Sequence, residues 1–472
     1  MTFIRTKKKG MQEYAYEITE TYDKKLKRSR QKTKYIGVVV DKNKNIFERR
    51  RFSIPNEKMI LDFGDSYTLN KFFESSEAIK IIKDNFGNLS QNLLALITYR
   101  LCYPSAMMHA EEWLNGNYAK ILYPEADLAS QRISEFFTLI GDESLQRKFF
   151  KSYLSKFSHS QNGLIIDGTS LPNQIHMPMS AWGLSGEEID KQIRFLLVVD
   201  KESSEPLYFR AVPGNIVDVS TLQTTIKELK KYDVKNSFVY VDAGFFSEEN
   251  IKEMYGNEIN FLTRLPAERI IYKQLINEEA KNLEAIKNIT RYGKRTLFIK
   301  QREIELFGRK AFAHIVLDPQ RKGREINKLG MNIFDEKDEN EDAEYNLISR
   351  GIMILVSSFE ISKEDIVPAY YIRQTAEKMF GFSKDDLDIL PLRVHSEETL
   401  RGFLFLQFVS LILFAQLKKY LGKKYCVEEV LLCMRNLKCK IFEKEVIISE
   451  PSRQQKKLAE ILGFILPKIS GI

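Results

Sequence analysis

Tyr370 to Lys384, YYIRQTAEKMFGFSK, constrains the chain more than any other stretch. An α-helix turns by about 100° per residue. Counted from Tyr370, the side chains of Arg373, Glu377 and Lys384 then fall at roughly 300°, 340° and 320°. All four lie in one stripe about 60° wide. The stripe carries a phenol, a carboxylate and two cations. A core-facing stripe would be apolar, and a solvated face would not need this order. A carboxylate flanked by cations suits a metal-dependent site acting on phosphate. The other metal ligands must come from elsewhere in the chain.

A length of 472 residues implies two to four domains with a sizeable core. The net charge of +8 is unevenly placed. Residues 1–51 hold sixteen Lys/Arg against six Asp/Glu, a surplus of ten, so the remaining 421 residues sum to −2. A basic arm on a near-neutral body suggests a polyanionic partner, with a solvated tail as the plainer reading. Cys102, Cys426, Cys433 and Cys439 form no CxxC pair and have no His at zinc-finger spacing. They read as thiols in a reducing compartment. The histidines are scattered without an HxxxH pair, which argues against a histidine metal site. The first ten residues are basic with no apolar run after them, unlike a signal peptide. Phe403 to Ala415 is the most apolar stretch, but it is shorter than the ~20 residues that span a bilayer. A buried helix, no membrane and a cytoplasmic location are expected.

Along the chain, residues 1–67 read as a basic β unit. Tyr14, Tyr16 and Ile18 alternate with polar neighbours, Lys24 to Lys34 is a basic run, and Tyr35 to Val40 is a second strand. Such a hairpin could lie on a nucleic-acid backbone. Residues 68–158 read as a helical module. Ser90 and Ser105 are candidate caps, and amphipathic helices are expected over Asp127–Ile140 and Glu143–Phe157. From residue 159 to 266 the rhythm is three strands, helix, strand, helix, strand, an α/β layout with a mixed sheet. Residues 267–349 break that rhythm as a β-rich insertion that includes Asp335–Glu344, an acidic loop without calcium-loop order. The core resumes over 350–420, and 421–472 is expected to be a C-terminal helical region.

Two apolar runs end in acids, LIID at Asp167 and SFVYVD at Asp242. Residues at the carboxyl ends of neighbouring strands in an open α/β sheet converge on one crevice. Glu377, on a helix beside the sheet, can point into it. Three carboxylates are a hard-oxygen set suited to Mg²⁺ or Mn²⁺. Two such ions clamp an in-line phosphoryl displacement, one on the attacking and one on the leaving oxygen.

Tyr-(2)-Arg-(3)-Glu-(6)-Lys matches at every interval the YREK signature of bacterial insertion-sequence DDE transposases, which this chain resembles. IIDGTS at 165–170, VDAGFFSEEN at 241–250, FLTRLP at 261–266, PGN with Asp218, and PLRVH at 391–395 are similar to the family in the same order. The likeness runs from about residue 160 to 417. It implies an RNase H-like mixed-sheet catalytic core with a β-rich insertion, preceded by the basic β unit and the helical module. It implies that Asp167, Asp242 and Glu377 are the catalytic triad holding two Mg²⁺ (or Mn²⁺) ions. It implies that Arg373 and Lys384 hold phosphates of the transposon end while Tyr370 hydrogen-bonds the backbone. The implied reaction is hydrolytic nicking at transposon ends, then attack of the freed 3′-OH on target DNA. The implied partners are double-stranded DNA, as terminal inverted repeats and target, and a second copy in a homodimeric synaptic complex. In a bacterial cell the protein would associate with the nucleoid when bound to DNA.

Gly381 suits a helix interior poorly, so the signature helix is expected to end or kink there. Relatives that cut through a hairpin use a Trp in the insertion to hold a flipped base. Trp113 and Trp182 both fall outside it, which leaves an insertion Phe or Tyr, or no hairpin. Alternative readings are a metal-dependent nuclease without strand transfer, a non-catalytic DNA-binding protein derived from a transposase, and an RNA-binding protein using the basic arm.

Overall fold

Period-two alternation builds the N-terminal unit. In the computed structural model, residues 2–9, 12–23, 28–42, 46–48, 58–157, 163–185, 188–216, 218–234, 238–336, 343–442 and 445–471 are described. Strands β1 (Thr2–Lys9), β2 (Gln12–Asp23), β3 (Arg28–Asp41) and β4 (Ile46–Glu48) form one antiparallel sheet in that order. Tyr16 pairs with Tyr35 across β2 and β3, with ring centroids 5.6 Å apart. On β3 the cations Arg28, Arg30, Lys32 and Lys34 are two residues apart and share one face. Lys24, Lys25 and Lys27 of the basic run lie outside the described residues. Residues up to Met59, with Lys440–Val446, form this compact unit, and Ile60–Cys439 with Ile447–Ser470 form a second. The second unit begins at Ile60, ahead of the helix that opens at Gly64.

A short strand β5 (Met59–Asp62) precedes helices α1 (Gly64–Glu74), α2 (Glu77–Phe86), α3 (Leu89–Cys102), α4 (Ala110–Gly116), α5 (Ala119–Leu122), α6 (Ser130–Ile140) and α7 (Glu143–Leu154). The expected caps differ. Gly87, at φ +50, turns the chain so that α3 starts before Ser90, which donates its backbone N–H to Gly87 O at 3.0 Å. Ser105 precedes a 3₁₀ turn over Met107–His109 and caps nothing. Asp142 does cap α7, accepting from Leu145 N at 3.0 Å.

The core follows as β6 (Leu164–Pro172), β7 (Ala181–Ser185), β8 (Glu188–Asp200), β9 (Pro206–Pro213), α8 (Asp218–Lys231), β10 (Phe238–Val241), α9 (Glu248–Gly256) and β11 (Asn260–Arg264). Strands β6, β8 and β9 are antiparallel, and β10 and β11 join in parallel on the other side of β6. The spatial order β9-β8-β6-β10-β11 is an RNase H-like mixed sheet. Strand β7, which the apolar runs did not announce, extends the same edge as β9.

The insertion carries α10 (Ile270–Glu279), β12 (Ile289–Tyr292), β13 (Arg295–Leu306), β14 (Arg309–Leu317), α11 (Pro319–Glu336) and α12 (Ala343–Ser349), and leads into β15 (Ile352–Ser357). Its strands are not a separate sheet. Strand β15 pairs with β11 on one side and β14 on the other, so the core sheet runs on through β14, β13 and β12. All six residues of β15 are buried, which requires cover on both faces and both edges. The three helices in this segment were not anticipated. Helix α11 reaches Glu336, and 337–342 of the acidic run lie outside the described residues.

The signature follows on α13 (Ile366–Tyr371) and α14 (Gln374–Gly381), and then α15 (Glu397–Leu421). Ser396 caps α15, accepting from Thr399 N at 3.2 Å. Helix α15 is long and apolar enough to cross a membrane, yet 83% of its most apolar window is buried inside the protein. It touches α6 backbone to backbone. A Cβ on Gly402 would lie 1.9 Å from Phe137 O, and one on Gly141 2.0 Å from Glu398 O. Gly402→Ala is therefore expected to cost about 2–3 kcal/mol, read as a lowered urea midpoint. An unchanged midpoint would contradict this close crossing. After α15 come α16 (Val427–Arg435), β16 (Lys438–Ile441), β17 (Glu445–Ile448) and α17 (Arg453–Ile461), so the stretch expected to be helical also carries strands. The four cysteines are free thiols.

Candidate active site

Asp167 does not end its strand. Strand β6 continues to Pro172, paired only with β8 beyond this point, whereas β10 pairs with β6 no further than Tyr240↔Ile165. The crevice opens where β10 leaves β6. Asp167 and Asp242 each lie two residues past that last pair, so the parallel register sets them level. Asp242 itself follows the last residue of β10, Val241.

The signature stretch is not one uniform helix. Arg373 N bonds to Tyr370 O at 3.2 Å and Ala376 N to Arg373 O at 2.9 Å, tightening the chain between α13 and α14. Helix α14 ends at Gly381, and the next turn, Phe382–Asp386, is a π-helix. The four signature residues still reach one place. Arg373 Nη1 lies 3.2 Å from Asp167 Oδ2 and 3.7 Å from Asp242 Oδ2, and Nη2 lies 2.9 Å from Glu377 Oε1. One guanidinium thus meets all three carboxylates. Tyr370 Oη donates to Asp242 Oδ1 at 3.0 Å, and Lys384 Nζ donates to Thr169 Oγ1 at 2.9 Å on the same strand as Asp167. The π turn carries Lys384 back to β6.

The electrostatics follow from burial. Burial raises the Asp167 carboxyl to about 7, with Arg373 and the Gly168 N–H pulling it down and Asp242 and Glu377 pushing it up. Burial alone would lower Arg373, but Asp167, Asp242, Tyr370 and Glu377 leave it raised. Burial raises the Tyr370 hydroxyl, helped by Asp242, so it stays a donor. Burial lowers Lys384.

A carboxyl raised in the folded chain binds protons there that the unfolded chain releases. Stability therefore falls as pH rises from about 3.8 to about 7, the interval between the two values. Asp167→Asn should remove that slope. It should match wild type near pH 4 and exceed it at pH 7.5 by on the order of 3 kcal/mol. Urea unfolding across pH checks this, and parallel pH profiles for the two proteins would contradict it.

All the candidate ligand atoms are carboxylate oxygens that converge on one cationic centre. As placed, with the guanidinium between them, no three His, Cys, Asp or Glu among the described residues stand at metal-ligand spacing. The donor chemistry, three carboxylates against one guanidinium, fits a hard divalent cation.

The family model for the transposase DDE domain matches residues 158–413. This chain belongs to that family. The matched segment holds β6 through most of α15, and so the six residues above. As a transposase DDE domain it is a DNA-acting enzyme. Among solved structures, a cryo-EM piggyBac transposase synaptic complex with hairpin DNA is similar at TM-score 0.40 and 10% identity, over 84% of this chain and 79% of that one. No curated protein matches the chain.

Several neighbours of this candidate site were not singled out from the sequence. Thr169 holds Lys384, and Ser170 accepts from Arg194 Nη1 at 3.0 Å. Thr263 Oγ1 donates to Asp242 O at 3.3 Å. Tyr292 of the insertion stacks on Tyr371 at 5.2 Å and 16°, with the Arg295 guanidinium 5.5 Å from the centre of the Tyr292 ring. The aromatic in RYGKR, beside a glycine turn, was the available signal for that pair.

Proposed function

We propose that this transposase serves an insertion sequence, nicking double-stranded DNA at its terminal inverted repeats and joining the freed 3′-OH to target DNA. The observation that carries the reading is the convergence of Asp167, Asp242 and Glu377 on Arg373. These three carboxylates would hold Mg²⁺ or Mn²⁺. The bound ions would supply activation of the attacking oxygen and stabilisation of the leaving one.

The chain's own groups do the rest. Arg373 can present its two Nη donors to a phosphodiester, neutralising charge that grows as the phosphorus is attacked. Lys384, held against β6, adds a point charge, and Tyr370 offers an O–H that burial keeps protonated. In the first step water forms a bond to phosphorus, the P–O3′ bond breaks, and the 3′ oxygen takes up a proton. In the second the 3′-OH attacks a target phosphodiester, losing its proton as another 3′ oxygen leaves. One site serves both steps because only the nucleophile changes. The reading includes the N-terminal unit as the DNA-recognition element and a homodimer that bridges two ends.

The test is a duplex bearing the element's inverted repeat, incubated with wild-type protein and Mg²⁺ or Mn²⁺, beside a duplex with a pre-cut 3′-OH end. Nicked and joined products are expected. Nicking without joining would mean a nuclease, and neither product would leave only DNA binding.

A further inference from the structure

We propose that the cavity bounded by α3, α6, the start of α15 and the loop at 388–394 binds a phosphate oxyanion. The cavity holds about 190 Å³. It lies apart from the carboxylate site, and no step above uses it. At its base is Arg100, in the last turn of α3, with only 2% of its side chain exposed. Nη1 donates to Ser105 O at 2.8 Å and stands 3.7 Å from Asp388 Oδ2, a long ion pair. The ring of Phe403 lies 5.5 Å away. Nε is buried without a hydrogen-bond partner. A buried guanidinium with an idle donor at Nε is an incompletely compensated charge. Burial pulls Arg100 down to about 10, which Asp388 offsets only in part.

The rest of the lining suits an anion. Arg393 stands at the rim with no ion-pair partner among the described residues, and it lies close enough to Arg100 for the two cations to repel. Asp388 is the one acid in the lining, so the cavity carries a net positive charge. Ser130 adds a hydroxyl donor, while the hydroxyls of Ser134 and Thr399 are already bonded to Ser130 O and to Ser396 and Thr138. Asp388 and Arg393 are both held at positive φ, 47° and 49°, which side chains other than glycine rarely adopt. Both residues line the cavity. The volume exceeds what one phosphate needs, leaving room for its ester groups or for water.

Two sources share this chemistry. One is a phosphodiester of the DNA backbone, which rests on the transposase reading. The other is free inorganic phosphate, which does not.

Inorganic phosphate, titrated into the full chain at constant ionic strength and followed by ³¹P line broadening, should bind saturably. Arg393→Ala, at the exposed rim, should weaken it about tenfold, the scale of one charge-assisted hydrogen bond. Arg100→Met should abolish it, and if that variant fails to fold, Arg393→Ala still decides. If phosphate, but not chloride at equal ionic strength, also displaces a bound duplex, the backbone is the natural ligand. If it leaves duplex binding unchanged, the free ion is. Absence of saturable binding, or equal binding by Arg393→Ala, would overturn the site and leave Arg100 as a brace between α3 and the loop. A protein that nicks DNA yet gives that result loses this inference alone.

Discussion

Asp167→Asn and Glu377→Gln are each expected to abolish nicking and joining, with a fall in rate of at least about 10³-fold. Both changes keep the shape of the side chain and remove its charge. The loss should appear in the rate and not in binding of the inverted-repeat duplex, because neither carboxylate attracts a polyanion. Asp167→Asn also separates folding from chemistry, since the same change is expected to stabilise the protein at neutral pH. A variant that is more stable and inactive fits an acid kept for reaction against the interest of the fold. Retained cleavage and joining in either variant would remove these residues from the catalytic set.

Arg373→Ala is expected to act in the opposite sense on stability. The guanidinium touches Asp167, Asp242 and Glu377, and its own side chain is 15% exposed. Its removal leaves a buried carboxylate without a counter-charge, at a cost of about 1 kcal/mol at pH 7.5, limited because a carboxyl that titrates near 7 then takes up a proton. Most of that comes from Asp167, because Glu377 is about half exposed and water already screens it. The cost should shrink toward pH 4, where Asp167 is protonated and has no charge left to lose. It should also shrink in the double variant with Asp167→Asn, giving a coupling of about 1 kcal/mol. Urea midpoints of the two single variants and the double variant, at pH 4 and 7.5, measure this. Strict additivity, or a loss that does not change with pH, would show that Arg373 stabilises through packing.

The sequence showed which residues would meet more clearly than it showed what they would do to one another. An acid after LII, an acid after FVYV and a four-residue stripe are enough to bring six side chains together. Spacing on a helix gives a direction, however, and not a partner. The stripe could not show that Arg373 would sit between the carboxylates. The assumed straight helix is tightened at Arg373 and widened after Gly381, and the two departures still leave Arg373 and Lys384 bonded to β6, Tyr370 to Asp242 and Glu377 to Arg373. Gly381 gave warning of the second departure, and nothing in IRQ gave warning of the first. Asp167 looked terminal because the apolar run stops there. The strand continues because β8 supplies hydrogen bonds as far as Pro172, and pairing across a sheet leaves little trace in composition. The insertion failed the same way. Its strands were visible as alternation, but their place beside β11 depends on β15, which lies after the insertion in the chain.

That placement bears on how the protein could be trimmed. Removing 267–349 would look like deleting an accessory segment, but it would strip β14 from β15. The strand left at the rim would be IMILVS, with no charge, no proline and no bulge to discourage a second chain from pairing with it. A shortened version would be expected to precipitate through that rim, whatever the integrity of its carboxylates. The insertion therefore also serves as the cover that keeps the sheet from growing beyond one molecule.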